Sequence, residues 1–132
     1  MKTILKLELT KKERKAVEDS ITHWIEDIWM VLLLPLVSIE HDRYNNSSCF
    51  KVEGEPELFE IHDSSRYCPL CKMTKNDCNK CPYFRYYGFN CFRIESHWIK
   101  WNSNPSCKTA EDMIMALEKI LEALQGKLRW EL

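Results

Sequence analysis

Val17, Ile21, Trp24, Ile28 and Trp29 recur mostly at three- and four-residue steps, which on a helical period places them in one apolar stripe of a long amphipathic helix. Thr10 and Glu13 mark its start. Their spacing is that of a capping box, in which the hydroxyl takes an orphan first-turn amide and the carboxylate reaches back to the cap. From Ile28 to Leu34 the pattern becomes apolar all round, and Pro35 ends it, because the residue before a proline is pushed out of helical geometry. A second stripe runs through Ala110, Met113, Leu117, Ile120, Leu121 and Leu124. Thr109 reads as its cap with Asp112 three residues on, Glu111 and Asp112 fall in the positive first turn, and Gly126 lies past the end. Val17, Ile21, Trp24 and Ile28 are expected to face Met113, Leu117, Ile120 and Leu124.

Period-two patterns are shorter. Thr3 to Leu9 alternates apolar and charged residues and reads as a half-buried strand, while Phe50-Lys51-Val52 and Leu58-Phe59-Glu60-Ile61 flank a Gly54-Glu55-Pro56 turn signal and read as a hairpin. With 132 residues, 45% hydrophobic and 30% charged, the chain is globular and of one-domain size. The expected fold is α+β, a single domain over residues 1–132. Its N- and C-terminal helices pack together with one or two short β-hairpins and a small four-cysteine zinc knuckle at about residues 66–108.

The run Ile28 to Val37 is half the roughly 20 residues a membrane span needs and is broken by Pro35. The first fifteen residues lack the apolar core of a signal peptide. A cytoplasmic protein with no membrane partner is expected, in which the sequons at Asn45 and Asn46 carry no meaning. Enclosure by the fold is the default fate of the apolar run. Failing that, Trp29, Val31, Leu33 and Leu36 are the candidate partner-binding residues.

Seven cysteines in a reducing compartment argue against a disulfide framework. Cys68 with Cys71 and Cys78 with Cys81 form two C-x2-C pairs separated by six residues, and two such turns supply four thiolates to one tetrahedral zinc ion. A four-sulfur shell has no open position for water, so one structural zinc is expected. Cys91 is the alternative ligand, and His62 and His97 flank the cluster. Cys49 and Cys107 have no paired neighbour and read as small residues. The C-x2-C-x2-C-x3-C-P run of iron–sulfur proteins is absent, and the spacer before Cys81 is too short for the fungal binuclear zinc module.

No phosphate loop, nucleophile elbow or deaminase-type H-x-E accompanies the cysteines, so neither an enzyme nor a small-molecule substrate is expected. Charge divides the chain: residues 66–108 hold 8 Lys and Arg against 2 Asp and Glu, and residues 1–65 hold 8 against 13. Four thiolates on zinc carry net negative charge, which Lys72, Lys75 and Lys80 are placed to offset. The other cations are interleaved with aromatics, the composition of single-strand nucleic-acid binders, with Arg85, Tyr87, Arg93 and Lys100 as candidate contacts. The overall pI near 6.4 is low for such a domain, which favours a protein partner and leaves nucleic acid as the alternative.

SITHW (Ser20 to Trp24), CPLC, DCNKCP, GFNC (Gly88 to Cys91) and the closing AEDMIMALEKILEAL helix together resemble a family of small, largely uncharacterised bacteriophage and prophage zinc-binding proteins. Its members carry a Ser-Ile-x-x-Trp helix, a C-x-L-C pair, a C-x-x-C-P pair, a Gly-x-x-Cys and a C-terminal helix. The resemblance implies a zinc-binding viral accessory protein that binds a host protein, with inhibition of a host defence factor as the analogous role. The stretch Met30 to Arg66 is longer and greasier than the linker that pattern carries, and is where a specialised partner surface is expected.

Overall fold

The computed structural model describes residues 9–42 and 47–124. The strand expected at Thr3 to Leu9 (all but its last residue), the sequons at Asn45 and Asn46, and the Gly126 stop fall outside these residues.

Helix α1 (Lys11–Trp24) opens on the capping box its sequence calls for. The Thr10 hydroxyl accepts the Glu13 amide at 3.1 Å and the Glu13 carboxylate accepts the Thr10 amide at 2.9 Å. Past Trp24 the helix widens into a π turn (Ile25–Trp29) and finishes as α2 (Met30–Leu32), capped by Leu33 two residues before Pro35. A sheet of strands β1 (Val37–Asp42), β2 (Ser47–Val52) and β3 (Leu58–Glu60) follows, antiparallel throughout in the order β1-β2-β3. The β2–β3 hairpin was legible in the sequence. It turns at Gly54, whose φ of 89° lies in the left-handed region that a residue without Cβ adopts freely. Strand β1 was not anticipated, because its Val37 and Ile39 alternation is short and continues an apolar run.

Three short helices complete the chain before the last long one: α3 (Pro69–Thr74), α4 (Pro82–Tyr87) and α5 (His97–Ser103), then α6 (Cys107–Leu124). Helix α6 starts before the expected Thr109. Ser106 stands at its head, its amide donating to the Thr109 hydroxyl at 3.0 Å while the Thr109 amide donates to the Ser106 hydroxyl at 3.2 Å. Thr109 therefore takes the reciprocal place of a capping box, and Glu111 and Asp112 lie beyond the first turn.

Helix α1 touches α3 and α6, and α6 also meets α4, α5 and the π turn. Val17, Ile28, Trp101, Leu117 and Ile120 are fully buried in one core that Phe50 joins from the sheet and Ile61 from just past β3. Ile21 is half-buried, and the side chain of Leu124 is outside the described set. The enclosure expected for the Ile28–Val37 run is corrected. Ile28 is buried, but Met30, Leu33, Leu34 and Leu36 are each at least half exposed. The π turn and α2 meet α6 and β1 on one side, and an element apolar all round leaves its other side to solvent.

Candidate metal centre

Two Cys-Pro dipeptides build the site by the same device. Cys68 and Cys81 each stand in extended backbone at the N-cap of a short helix, followed by Pro69 or Pro82 at its first position, where the preset φ suits the helix and the missing N–H is no loss. The amides of Leu70 and Cys71 act on the Cys68 sulfur and those of Tyr83 and Phe84 on the Cys81 sulfur, each favouring the thiolate, although neither thiol completes a formed cap hydrogen bond. Cys71 lies one turn along from Cys68. The two neighbouring thiols act on each other, which pushes Cys68 down from the usual thiol range and Cys71 up.

Helix α3 ends at Lys75 and Asn76, both in left-handed backbone, and the Asn76 amide returns to the Cys71 carbonyl at 2.8 Å. Asp77 then caps a single 3-10 turn, Cys78–Lys80, its carboxylate accepting the Asn79 amide at 3.1 Å. Residues three apart eclipse in such a turn, so Cys78 and Cys81 share a side.

Cys91 arrives from another segment. Gly88, at φ 82°, ends α4 in left-handed backbone. The Asn90 carboxamide accepts the Phe92 amide at 2.9 Å, and the fully buried Ser96 hydroxyl donates to the Cys91 carbonyl at 2.6 Å while capping α5 by accepting the Ile99 amide at 3.1 Å. Cys68, Cys71, Cys78, Cys81, Cys91 and His23 together border one cavity of about 170 Å³, walled also by Trp24, Phe84, Phe92 and Trp98. Burial pushes the Cys81 thiol up to about 11 and the Cys91 thiol up to about 12. Among the described residues the thiols border the cavity without closing a metal shell. Cysteine sulfur is the donor type that a borderline-soft tetrahedral ion such as zinc takes.

The histidine at this cavity is His23, not the flanking His62 or His97. His62 is exposed and stacks on Tyr67 at 4.0 Å, and His97 meets the Tyr83 hydroxyl at 2.5 Å. His23 reaches the Asp27 carboxylate through Nδ1 at 2.8 Å and the His62 carbonyl through Nε2 at 2.5 Å. Its i,i+4 spacing to Asp27 was the available sequence signal. Asp63, also on the cavity wall, went unnoticed in the sequence. Its carboxylate accepts the Trp101 indole N–H at 2.7 Å, its carbonyl accepts that of Trp98 at 2.6 Å, and burial raises its carboxyl above the usual range. The π turn directly follows His23 and Trp24. Such turns recur at functional sites.

Other expected contacts are placed differently. Arg85 pairs with Glu13 at 2.8 Å, and the Tyr87 hydroxyl donates to the Ala116 carbonyl at 2.8 Å, so both hold α4 against long helices. Arg93 lies 3.4 Å from Glu95, and Lys100 is exposed. Of the lysines expected to offset the cluster, Lys72 and Lys75 are exposed and Lys80 lies 3.9 Å from Asp77. The Trp29 indole donates to Glu111 at 3.0 Å and Val31 is half-buried, whereas Leu33 and Leu36 face solvent. Cys49 is buried in β2 and Cys107 heads α6. No protein-family model matches the chain, and neither a curated protein nor a solved structure is significantly similar to it.

Proposed function

We propose that this chain is a non-enzymatic, zinc-binding phage accessory protein that acts in the cytoplasm of a bacterial host by binding a host protein, with a defence factor as the candidate target. The observation that carries the metal reading is the meeting of both C-x2-C pairs on one cavity. Cys68, Cys71, Cys78 and Cys81 are the ligands the pairs supply, with Cys91 as the alternative, and a shell of four sulfurs leaves zinc no position for a reacting water. The metal is then a clip joining α3, the 3-10 turn and the head of α4. The phage and host parts of the proposal rest on the resemblance of the SITHW, CPLC, DCNKCP and GFNC motifs.

A protein partner is favoured over nucleic acid by what the aromatic segment does. Tyr83 and Trp101 are core residues, Tyr87 and Arg85 are engaged with α6 and α1, and stacking platforms require free rings. Met30, Leu33, Leu34 and Leu36 are the exposed apolar residues available to a partner, and burying such side chains is a main source of association energy. Affinity purification from host cells with and without nuclease, beside a Leu33→Asp/Leu36→Asp double variant, tests this. The expected result is a protein that survives nuclease and is lost with the double variant. Recovery of nuclease-sensitive nucleic acid alone would overturn it in favour of the alternative.

A further inference from the structure

We infer that the outer edge of β1 is the docking site for an extended segment of the partner protein, which adds to the sheet as a fourth strand and carries basic side chains alternating with apolar ones. This rests on the protein-partner reading above and names the partner's chemistry. Bonded and non-bonded pairs alternate along an antiparallel ladder, and the Glu53 amide donates to the Leu36 carbonyl at 2.8 Å, one step before Val37 stands opposite Val52. Ser38 and Glu40 therefore turn their amides and carbonyls to β2, while Val37, Ile39 and His41 turn theirs away from it. The Val37 amide is taken by the Leu34 carbonyl at 3.3 Å. Among the described residues, the amides of Ile39 and His41 meet no acceptor.

An unpaired edge is a template for another strand, and short strands and prolines are how edges are blunted. The two edges of this sheet differ in that respect. Strand β3 spans three residues with Pro56 just ahead of it, whereas β1 spans six and holds no proline. The alternation of β1 sets the side chains its guest needs: Ile39 is half-buried and packs against the core, while Ser38 and Glu40 on the opposite face are exposed. A strand laid beside it puts apolar residues next to Ile39 and polar ones next to Glu40. Charge decides their sign. Residues 37–60 hold 6 Asp and Glu against 2 Lys and Arg, and Glu40, Glu53, Glu55 and Glu57 are exposed. A second copy of this edge would bring acids together, which destabilises cross-strand pairing, so the occupant is a basic segment of another protein. The exposed Leu33 and Leu36, ahead of the strand, extend the apolar contact.

The test uses the whole chain and a short synthetic peptide of alternating valine and lysine, blocked at both ends and fluorescently labelled, beside the same peptide with glutamate for lysine. Anisotropy should show the lysine peptide binding at least about fivefold more tightly, from opposite-charge against like-charge cross-strand pairs, and Glu40→Lys should shrink that ratio. Amide hydrogen exchange read by NMR locates the contact. Adding the lysine peptide should slow exchange at Ile39 and His41 and leave the amides of β3 unchanged. His41→Pro removes an outward amide and spares the bonds to β2, as a proline on an edge strand can, so its Ser38 and Glu40 amides should stay protected while peptide binding is lost. If that variant does not fold, Glu40→Lys and the exchange pattern decide. Equal binding of the two peptides, protection gained elsewhere than on β1, or undiminished binding by a folded His41→Pro would overturn the strand docking and leave the protein-partner reading standing. Recovery of nuclease-sensitive nucleic acid alone on the wild-type chain from host cells would instead remove that reading and the inference with it, a separate result that needs neither peptide nor variant.

Discussion

The indole of Trp101 donates a 2.7 Å hydrogen bond to the carboxylate of Asp63, while Trp98, one turn earlier on α5, donates to the carbonyl of the same residue at 2.6 Å. Next to it the His62 carbonyl meets His23 of α1. A strand-free stretch between the sheet and α3 is thereby fixed to two helices and made into a wall of the cysteine cavity. The segment that leaves the sheet therefore also shapes the site.

Asp63→Ala should therefore destabilise the fold by about 1–3 kcal/mol, the cost of leaving a buried donor unpaired. Trp101 is fully buried and has no water to turn to. Urea unfolding of the zinc-loaded protein measures it. An unchanged midpoint would mean that the indole finds another acceptor and that Asp63 is not what holds the segment.

Trp24 packs edge-on against Trp101, with ring centroids 5.4 Å apart and planes at 88°, and is 4% exposed. Trp24→Ala should cost about 3–5 kcal/mol, the range for deleting a buried large aromatic, and should also loosen the cavity wall it forms. Thermal melts and zinc affinity read the two effects separately. A variant that melts like the wild type would place Trp24 outside the core.

What the sequence disclosed was local. The Thr10–Glu13 box, the stop ahead of Pro35 and the hairpin around Gly54 each depend on residues within a few positions, and each is present. The cysteine pairs were legible for the same reason. Ser106 was missed as a cap because Thr109, three residues on, offers an equally good hydroxyl and the choice depends on how the chain leaves Pro105. Tyr83, Tyr87 and Trp101 looked alike as stacking rings or as core, since only tertiary contacts tell the two apart. His23 and Asp63 come to the cavity from distant parts of the chain, and no spacing rule connects them to the cysteines. The exposed leucines after Ile28 were misjudged because an all-apolar helix end carries no mark of which side the fold will cover.

Tyr83 and His97 supply a pH dependence. The Tyr83 hydroxyl accepts the His97 amide at 3.0 Å and meets Nδ1 at 2.5 Å, an arrangement that uses its one proton on a neutral ring. Burial holds His97 below the usual imidazole range, with Lys100 and Lys119 adding to it and Asp112 opposing. A depressed folded value means that the unfolded chain binds the proton first as the pH falls. The stabilisation is thus complete above the unfolded value of about 6.5 and is lost as the pH falls from there through the folded value. Urea midpoints of wild type should drop more steeply over this window than those of His97→Gln. Parallel slopes would remove His97 as the cause.

Chelation should lower the unfolding midpoint and loosen residues 66–96 most, because thiolate ligands form a site only in the folded chain and metal binding energy is then folding energy. Hydrogen exchange with and without zinc locates the effect. Protection lost evenly over α1 and α6 as well would show that the metal holds the whole domain; no change anywhere would show that it holds nothing.

The basic aromatic segment gives the last test. If nucleic acid were the ligand, binding would release counterions and weaken steeply with salt, and removing Arg93 and Lys100, two exposed candidate cations, would reduce both the affinity and the salt slope. Arg85 behaves differently under either ligand. Its guanidinium is 2.8 Å from Glu13, in a pair whose side chains are 34% and 21% exposed, so Arg85→Ala should cost up to about 1 kcal/mol of stability with little effect on binding. We expect fluorescence anisotropy with single-stranded DNA and RNA to show no salt-sensitive binding in the micromolar range, and the Arg93→Ala/Lys100→Ala variant to retain its protein partner. Micromolar binding that falls with salt and is lost in that variant would establish the exposed side of α5 and the loop before it as a nucleic-acid surface.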